Sequence, residues 1–258
     1  MTTLFIGHGS PMNALEVNSI TKNWQNLGKT LAKPRAILAI SAHWYVPYLA
    51  ISNNKINHTI HDFYGFPPQL TNFDYPSNGS PEFTTEIIQA LDDFTDGEII
   101  RATDWGLDHG VWSILTHIYP NPEVPIVQLS IDSTKPPLWH YQLGQKLHKL
   151  SQSGVLILCS GNIVHNLSQL NWKNPDSGSE WAIKSDLQLT ELISARKIEK
   201  LCGYNSLGND VRLAIPTPEH FLPVLYALGA SGDEHIEVFN QVYSYGSLSM
   251  TSFITVNK

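Results

Sequence analysis

Four short apolar runs, each followed by a polar or glycine-bearing loop, constrain the fold of this chain more than any other feature. The runs occupy residues 4–6, 36–40, 124–129 and 155–158. Continuous apolar runs of this length are typical of strands that are buried on both faces of a parallel sheet. Apolar side chains also recur at helical spacing in the stretches 80–91, 135–150 and 181–201. The alternation predicts an α/β fold with a central, mostly parallel sheet flanked by helices.

The size and charge of the chain fit one domain and exclude several classes of partner. With 258 residues, 42% of them hydrophobic, the chain can bury a substantial core, and we expect a single domain over residues 1–258. The net charge of −7 argues against nucleic acid and against an anionic membrane surface as partners. No apolar stretch approaches the length of a membrane span.

The cysteines and the first residues of the chain bear on its compartment. Cys159 and Cys202 have neither CxxC nor zinc-finger spacing, which fits a reduced, cytoplasmic protein. The N-terminal residues lack the charged segment and apolar run of a signal peptide. We therefore expect a soluble cytoplasmic protein, and the sequence leaves its oligomeric state open.

Histidines follow the ends of several apolar runs. His8 comes directly after the first run, His43 after the second, and His165 shortly after the run at 155–158. His220 follows an apolar segment at 211–215, which the pattern also predicts to be a strand. Ligands bind at the carboxyl ends of strands in open α/β sheets, and imidazole is the commonest metal-binding side chain. We therefore expect these four histidines to meet at one metal ion.

His220 and His109 both fall near predicted helix starts. Thr217 is the predicted N-cap of a helix that Gly229 ends, with His220 in its first turn. The helix macrodipole disfavours a cationic ring there, so a neutral ring bound through its lone pair is expected. His109 lies at a loop-to-helix turn, as a fifth site candidate or as an ordinary turn residue.

A long segment at 53–79 is rich in Pro, Gly, Asn and aromatic residues, and predicts a structured loop. Long loops in compact domains are often functional. Three aromatic side chains in or near this segment are candidates to line a substrate pocket: His61, Tyr64 and Trp44.

Other chemistries have little support in the sequence. The nucleophile-elbow pattern GxSxG and the nucleotide-binding patterns GxxxxGK[ST] and GxGxxG are absent. Cys159 ends a predicted buried strand, where cysteine behaves as a small hydrophobe rather than as a nucleophile. A histidine site also suits Zn²⁺, which leaves a zinc-dependent hydrolase or a non-catalytic metal-binding protein as alternatives.

Eight motifs carry a resemblance that covers nearly the whole chain from Gly7 onward. In order they are GHGSPMN, SAHW, HDFYGFP, GLDHGVW, QLSID, SGNIVHN, TPEHFLP and GSLSM. Together they resemble the DODA-type extradiol aromatic ring-opening dioxygenases, in the superfamily of the catalytic subunit of protocatechuate 4,5-dioxygenase. The resemblance implies an α/β domain with one non-haem metal at one end of the sheet.

The resemblance also implies roles for particular residues. The metal-site histidines carried over by motif are His8, His43, His165 and His220. His109 would lie nearby, facing the substrate. In the superfamily pattern, two His and one Glu hold Fe(II) and a further His acts as acid or base. His220 stands in the place of that Glu and His165 in the place of the acid/base His, while the neighbouring Glu219 is expected to project elsewhere around the helix.

The number of coordination positions on the metal limits how many of these histidines can be ligands during turnover. Four histidines, a catechol bound through both oxygens and dioxygen would need seven positions, and an octahedral ion offers six. We therefore expect at most three histidines to stay bound during turnover, with His165 free as a proton acceptor or donor. His109 is the second candidate for that role.

The implied reaction is cleavage of a catechol ring with O₂. The substrate that the resemblance implies is L-DOPA, opened to 4,5-seco-DOPA, the precursor of betalamic acid in betalain biosynthesis. Fe(II) is the expected metal, and Zn²⁺ is expected to compete for the site because it binds such ligands more tightly. Asp62 is a candidate partner for the substrate ammonium, and the sequence leaves 4,5 against 2,3 cleavage open.

Overall fold

The computed structural model describes residues 2–95, 98–121 and 123–256. The strands of the described residues are β1 (Thr2–Gly7), β2 (Ala36–Val46), β3 (Ala50–Ser52), β4 (Ile56–Asn57), β5 (Ser77–Asn78), β6 (Ile100–Ala102), β7 (Ile126–Asp132), β8 (Val155–Gly161), β9 (His235–Phe239), β10 (Tyr243–Ser244), β11 (Leu248–Ser249) and β12 (Ser252–Val256). The α-helices are α1 (Ser19–Thr30), α2 (Pro68–Thr71), α3 (Pro81–Thr95), α4 (His109–Ile118), α5 (Pro137–Gln152), α6 (Glu180–Ser194), α7 (Ile198–Cys202), α8 (Asn209–Ala214) and α9 (Leu222–Ala230). Within this part of the chain, no helix has the length and apolar character needed to cross a membrane.

Eight strands form one sheet in the order β6-β3-β7-β2-β8-β1-β12-β9. The four strands at its centre, β7, β2, β8 and β1, pair in parallel. They contain the four apolar runs, so the predicted central parallel sheet is confirmed. The strands β12 and β9 extend one edge in antiparallel pairing.

The central strands are apolar along their whole length because both faces of the sheet are covered. On β2, Leu38 and Ile40 pack into a core with α3, α5 and α9, whereas Ile37 and Ala39 pack into a second core with α1 and α4. Successive side chains of a strand point to opposite faces, so both cores draw on each central strand. The molecule is therefore a single α/β domain, as predicted.

Two of the three predicted helices match α3 and α5, but the third is interrupted. The stretch at 181–201 forms α6 and α7, and Arg196 between them has a left-handed backbone with φ of 49°. Its guanidinium donates to the hydroxyl of Ser231 and to the carbonyl of Leu228, at the end of α9. The prediction of one long helix is wrong, because this contact fixes a turn within the apolar pattern.

The predicted start of the helix at Thr217 is also wrong. The structure begins α9 at Leu222, and the segment 211–215 that was predicted as a strand lies largely in α8. Thr217 donates its hydroxyl to the Glu219 carboxylate instead of capping a helix. At the other end α9 continues past Gly229, where an added Cβ would lie 2.3 Å from the carbonyl oxygen of Tyr141. Gly229 therefore allows α5 and α9 to approach closely, and the helix ends one residue after it, at Ala230.

Candidate metal centre

Two of the histidines reach the same edge of the sheet directly from its central strands. His8 follows β1, and its backbone N–H donates to the carbonyl of Gly161 at the end of β8. His43 lies within β2, which continues past the predicted strand end, at the register shift that falls between Ile40 and Tyr45. Both side chains are thus placed by rigid backbone at the carboxyl end of the sheet.

His220 and His165 reach the same place from loops. His220 lies in the turn between α8 and α9, so the expectation that it follows a strand is wrong. Its carbonyl accepts a hydrogen bond of 2.9 Å from the N–H of Asn162, directly after β8. His165 lies in the loop after β8, and its N–H donates to the carbonyl of Ala214. Backbone hydrogen bonds therefore fix the His220 turn to the residue after β8 and the His165 loop to the end of α8.

Three of the imidazole rings converge. One nitrogen from each of His8, His43 and His220 lies within 4.8 Å of the others, an arrangement that can hold a metal ion. The Nε2 atoms of His8 and His43 are 3.1 Å apart. The Nε2 atom of His220 is buried and has no hydrogen-bond partner among the described residues. A buried polar atom without a partner is costly, and a cation bound there would satisfy it.

Each of these rings has a partner at its other nitrogen, Nδ1. The pairs are His8 with Ser160 Oγ at 2.8 Å, His43 with Asp62 Oδ2 at 3.0 Å and His220 with Glu219 Oε1 at 3.2 Å. An ionised carboxylate only accepts hydrogen bonds, so Asp62 and Glu219 fix the proton on Nδ1. The Ser160 hydroxyl donates to the carbonyl of Gly110 and so also accepts from its histidine. All three Nε2 lone pairs are left free to bind a metal, and such partners are typical of metal-binding histidines.

Burial keeps most of this cluster neutral. Desolvation, with the charges of neighbouring histidines, holds the pKa of His8 well below its ordinary value. Burial also lowers the pKa of His220, against the opposing hydrogen bond to Glu219. Burial would lower the pKa of His43 too, but the hydrogen bond to Asp62 and nearby carboxylate charges raise it. Neutral imidazole is the form that binds metals.

His165 lies beside the three-histidine group without belonging to it. Its ring stacks on that of His220 with centroids 3.5 Å apart and an interplanar angle of 8°. One of its ring nitrogens lies instead within 4.8 Å of possible ligand atoms of Glu219 and His220. Burial lowers the pKa of His165 to about 2, so the ring is neutral at physiological pH.

His109 is the first residue of α4, as the loop-to-helix prediction requires. Its ring centroid lies 3.9 Å from that of His43 and 5.6 Å from that of His8. Its Nδ1 donates to Asp62 Oδ1 over 2.8 Å. Burial lowers the pKa of His109 to about 4, so this ring is also neutral. The structure therefore places all five predicted histidines in one cluster.

Sequence reasoning named Glu219 and Asp62 but did not predict that their carboxylates contact the histidines of the cluster. Glu219 contacts His220 because the two residues lie in a turn, and the expectation that its side chain projects elsewhere is wrong. Asp62 contacts His43 and His109, and both of its oxygens are already hydrogen-bonded to these rings. Asp62 lies in the motif HDFYGFP, which was the available signal for its importance.

The three candidate pocket residues differ in their surroundings. Trp44 is buried and stacks on Trp105 with centroids 4.9 Å apart. Tyr64 is 94% exposed. His61 contacts the carbonyl of Phe73 through Nε2 at 2.8 Å. Trp44 and His61 are therefore held by contacts with neighbouring residues, whereas the side chain of Tyr64 lies in solvent.

Phe63 is the aromatic residue of the 53–79 segment that reaches the cluster. Its ring meets that of His109 edge to face with centroids 5.5 Å apart. The same ring packs against Trp112 on α4. Phe63, which sequence reasoning did not single out, therefore forms an apolar wall beside the histidines.

Comparison with known proteins gives consistent matches over the whole chain. The family model described as the catalytic LigB subunit of aromatic ring-opening dioxygenase matches residues 3–255. A protein of Escherichia coli (strain K12) named 4,5-DOPA dioxygenase extradiol is 41% identical over 98% of this chain and 93% of its own length. A Beta vulgaris protein of the same name is 36% identical over 97% of this chain and 96% of its own. The crystal structure of an uncharacterized protein from Escherichia coli K12 superposes with a TM-score of 0.86 at 36% identity, covering 99% of this chain and 100% of that one.

Proposed function

This chain belongs to the LigB family of aromatic ring-opening dioxygenases and is an extradiol dioxygenase, and on that premise we propose that it opens the ring of L-DOPA. Dioxygenases of this family use a metal. We assign its binding to His8, His43 and His220. Support for the substrate comes from the relatives of Escherichia coli and Beta vulgaris, which are named for 4,5-DOPA.

One observation carries the metal assignment. Three rings, each with Nδ1 occupied by a hydrogen-bond partner and Nε2 left free, bring one nitrogen each within 4.8 Å of the others. Three histidines leave three positions of an octahedral ion free, enough for both catechol oxygens and for dioxygen. When bound, the metal would lower the pKa of the catechol hydroxyls and bring substrate and O₂ together. Fe(II) is the proposed metal because Zn²⁺ is redox-inert.

His109 is proposed as a proton acceptor for the substrate. Its Nδ1 proton is held by Asp62, so its free lone pair is on Nε2. The ring is buried and neutral, so the Nε2 lone pair is unprotonated and available to accept a proton. Phe63, edge-on to this ring, provides an apolar surface that helps to exclude water.

His165 is proposed as a second proton-transfer group rather than a fourth ligand. The lone pairs of an imidazole lie in the plane of its ring. Because the rings of His165 and His220 are nearly parallel and stacked, their lone pairs lie in separate, nearly parallel planes and do not converge on one ion. We assign to His165 the transfer of a proton from one substrate hydroxyl and its later return to the ring-opened product, because this ring lies beside His220 and its nitrogens are not used by the proposed metal.

The proposed reaction cleaves the bond between C4 and C5 of L-DOPA and incorporates both atoms of O₂. The product, 4,5-seco-DOPA, closes to betalamic acid, which is yellow. The test loads the apo-protein with Fe(II) anaerobically, adds L-DOPA, and then admits air while oxygen uptake and absorbance are followed. We expect both signals only after air is admitted.

The same experiment separates the substrate from the reaction class. Oxygen uptake with other catechols but not with L-DOPA, by protein whose iron content is confirmed, would overturn the L-DOPA assignment alone. Turnover that persists without oxygen would contradict the proposed dioxygenase reaction on this substrate.

A further inference from the structure

We propose that Asp62 is a positioning residue that serves two histidines with different tasks, His43 as a metal ligand and His109 as a proton acceptor. This inference rests on the proposed function of those two rings. It assigns to a single carboxylate the orientation of both the metal site and the proton-transfer site.

Both carboxylate oxygens of Asp62 accept hydrogen bonds from the two histidines. Oδ2 lies 3.0 Å from His43 Nδ1. Oδ1 lies 2.8 Å from His109 Nδ1 and 3.2 Å from the backbone N–H of the same residue. The carboxylate therefore accepts three hydrogen bonds and joins β2, the start of α4 and the 53–79 segment.

The other Nδ1 partners serve one ring each. Ser160 accepts from His8, and Glu219 from His220. Among the described residues that contact these rings, Asp62 is the one whose oxygens divide between a proposed ligand and a proposed base. Its effect on metal binding should therefore be separable from its effect on proton transfer.

The hydrogen-bond pattern requires a carboxylate. Both histidines donate from Nδ1, and the side-chain amide of asparagine has one accepting oxygen and one donating nitrogen. Asp62→Asn, which keeps the shape of the side chain, would place N–H against N–H at one of the two rings. That ring would have to change its tautomer or turn away.

The surrounding packing holds Asp62 in place. The next residue, Phe63, packs its ring against His109 and Trp112. The side chain of Asp62 is 21% exposed, and that of His109 is 7% exposed. The side chain of His43 is 19% exposed. A partly enclosed carboxylate between one nearly buried and one partly buried ring restricts their rotation more than a solvated one would.

The test is a double-mutant cycle with two readouts, the affinity for Zn²⁺ alone and kcat of the Fe(II)-loaded enzyme at saturating metal. The variants are Asp62→Asn, His109→Ala and the combination of both. Zn²⁺ affinity is measured by competition with a chromophoric chelator, and thermal unfolding confirms that each variant is folded. Asp74→Asn is the matched control, because Asp74 lies in the same segment and accepts a hydrogen bond from Thr59 instead.

We expect Asp62→Asn to weaken Zn²⁺ binding by about 10- to 100-fold in both backgrounds, because this effect acts through His43. We expect it to lower kcat by about 10²- to 10⁴-fold in the wild-type background and to give no further decrease in the His109→Ala background. Asp74→Asn should change neither quantity.

Two results would overturn the proposal: wild-type Zn²⁺ affinity in folded Asp62→Asn, or an equal loss of kcat in both backgrounds. If the wild-type enzyme binds Zn²⁺ but turns over no catechol, the proposed function fails. The Zn²⁺ readout then still decides whether Asp62 positions His43, and an unchanged affinity would reject the inference.

Discussion

The rings of His165 and His220 lie nearly parallel, with centroids 3.5 Å apart. Of these two residues, however, it is His220 that has a nitrogen within 4.8 Å of nitrogens of both His8 and His43. The His165 loop follows β8 directly, and the turn that carries His220 is hydrogen-bonded to Asn162 at the end of the same strand. A resemblance between motifs cannot separate a ligand from an acid/base group here, because both are histidines at the same edge of the sheet. The stacking geometry favours His220 as the ligand and His165 as the group that remains free.

This assignment predicts opposite effects of two alanine substitutions. His165→Ala should retain Zn²⁺ with near wild-type affinity and lower kcat by roughly 10²- to 10⁴-fold, the range for loss of an acid/base group. His220→Ala should lose the metal. Metal content after dialysis and kcat at saturating Fe(II) provide the measurements, and loss of metal from folded His165→Ala would place His165 among the ligands.

Glu219 is expected to orient His220 as Asp62 orients His43. Its Oε1 lies 3.2 Å from His220 Nδ1 and also accepts from the Thr217 hydroxyl. Glu219→Gln can present an N–H to the ring, so we predict a Zn²⁺ affinity about 10- to 100-fold below that of the wild type. The measurement is chelator competition, with the exposed Glu180→Gln in the first turn of α6 as the control. An affinity equal to that of the control would reject the role.

The sequence was sufficient to predict the sheet and the histidines, for physical reasons. The strands β1, β2, β7 and β8 are covered on both faces of the sheet. A strand covered on both faces is apolar along its length, so the continuous apolar runs predicted these strands. His8 and His43 are placed by those strands, so their positions could be predicted along with the sheet.

The remaining parts of the site depend on contacts that leave no periodic signal. The segment 211–215 is apolar, but short apolar runs do not distinguish a buried strand from a buried helix, and it lies largely in α8. Glu219 meets His220 only because a turn, and not a helix, carries both residues. Asp62 reaches His43 and His109 from a long loop, and only the packed structure brings these elements together.

The burial of His140 predicts that the folded protein loses stability against unfolding in acid, independently of the metal centre. The ring is buried in α5, with Nε2 donating to the carbonyl of Lys135 and Nδ1 accepting from the Tyr226 hydroxyl. Burial lowers the pKa of His140 to about 4. As the pH falls from about 6.5 towards 4, the unfolded chain binds a proton at this residue and the folded chain does not. The stability present above pH 6.5 is therefore lost across this window, by about 3 kcal/mol.

The measurement is the free energy of unfolding in urea at pH 7 and pH 4, for apo-protein throughout. His140→Gln keeps one donor and one acceptor for the same partners but does not titrate, so its stability should fall by about 3 kcal/mol less than that of the wild type between these pH values. His235→Gln, at the exposed start of β9, is the matched control. Equal acid sensitivity of His140→Gln and the control would reject the prediction.

Gly161 links the end of β8 to the position of His220. An added Cβ at this residue would lie 2.2 Å from the His220 carbonyl oxygen, which is backbone and cannot rotate away. Gly161→Ala should therefore displace the turn that carries His220, and metal–ligand distances tolerate deviations of only about 0.2 Å. We predict weaker Zn²⁺ binding, by at least about 10-fold, with a cost of about 1–3 kcal/mol in the free energy of unfolding. Gly203→Ala after α7, where the nearest atom is 3.3 Å from the added Cβ, is the control for a glycine substitution. Overpacking alone would lower the stability and leave the Zn²⁺ affinity of the folded protein unchanged. An unaltered Zn²⁺ affinity in Gly161→Ala would therefore contradict the prediction that Gly161 sets the position of His220 as a metal ligand.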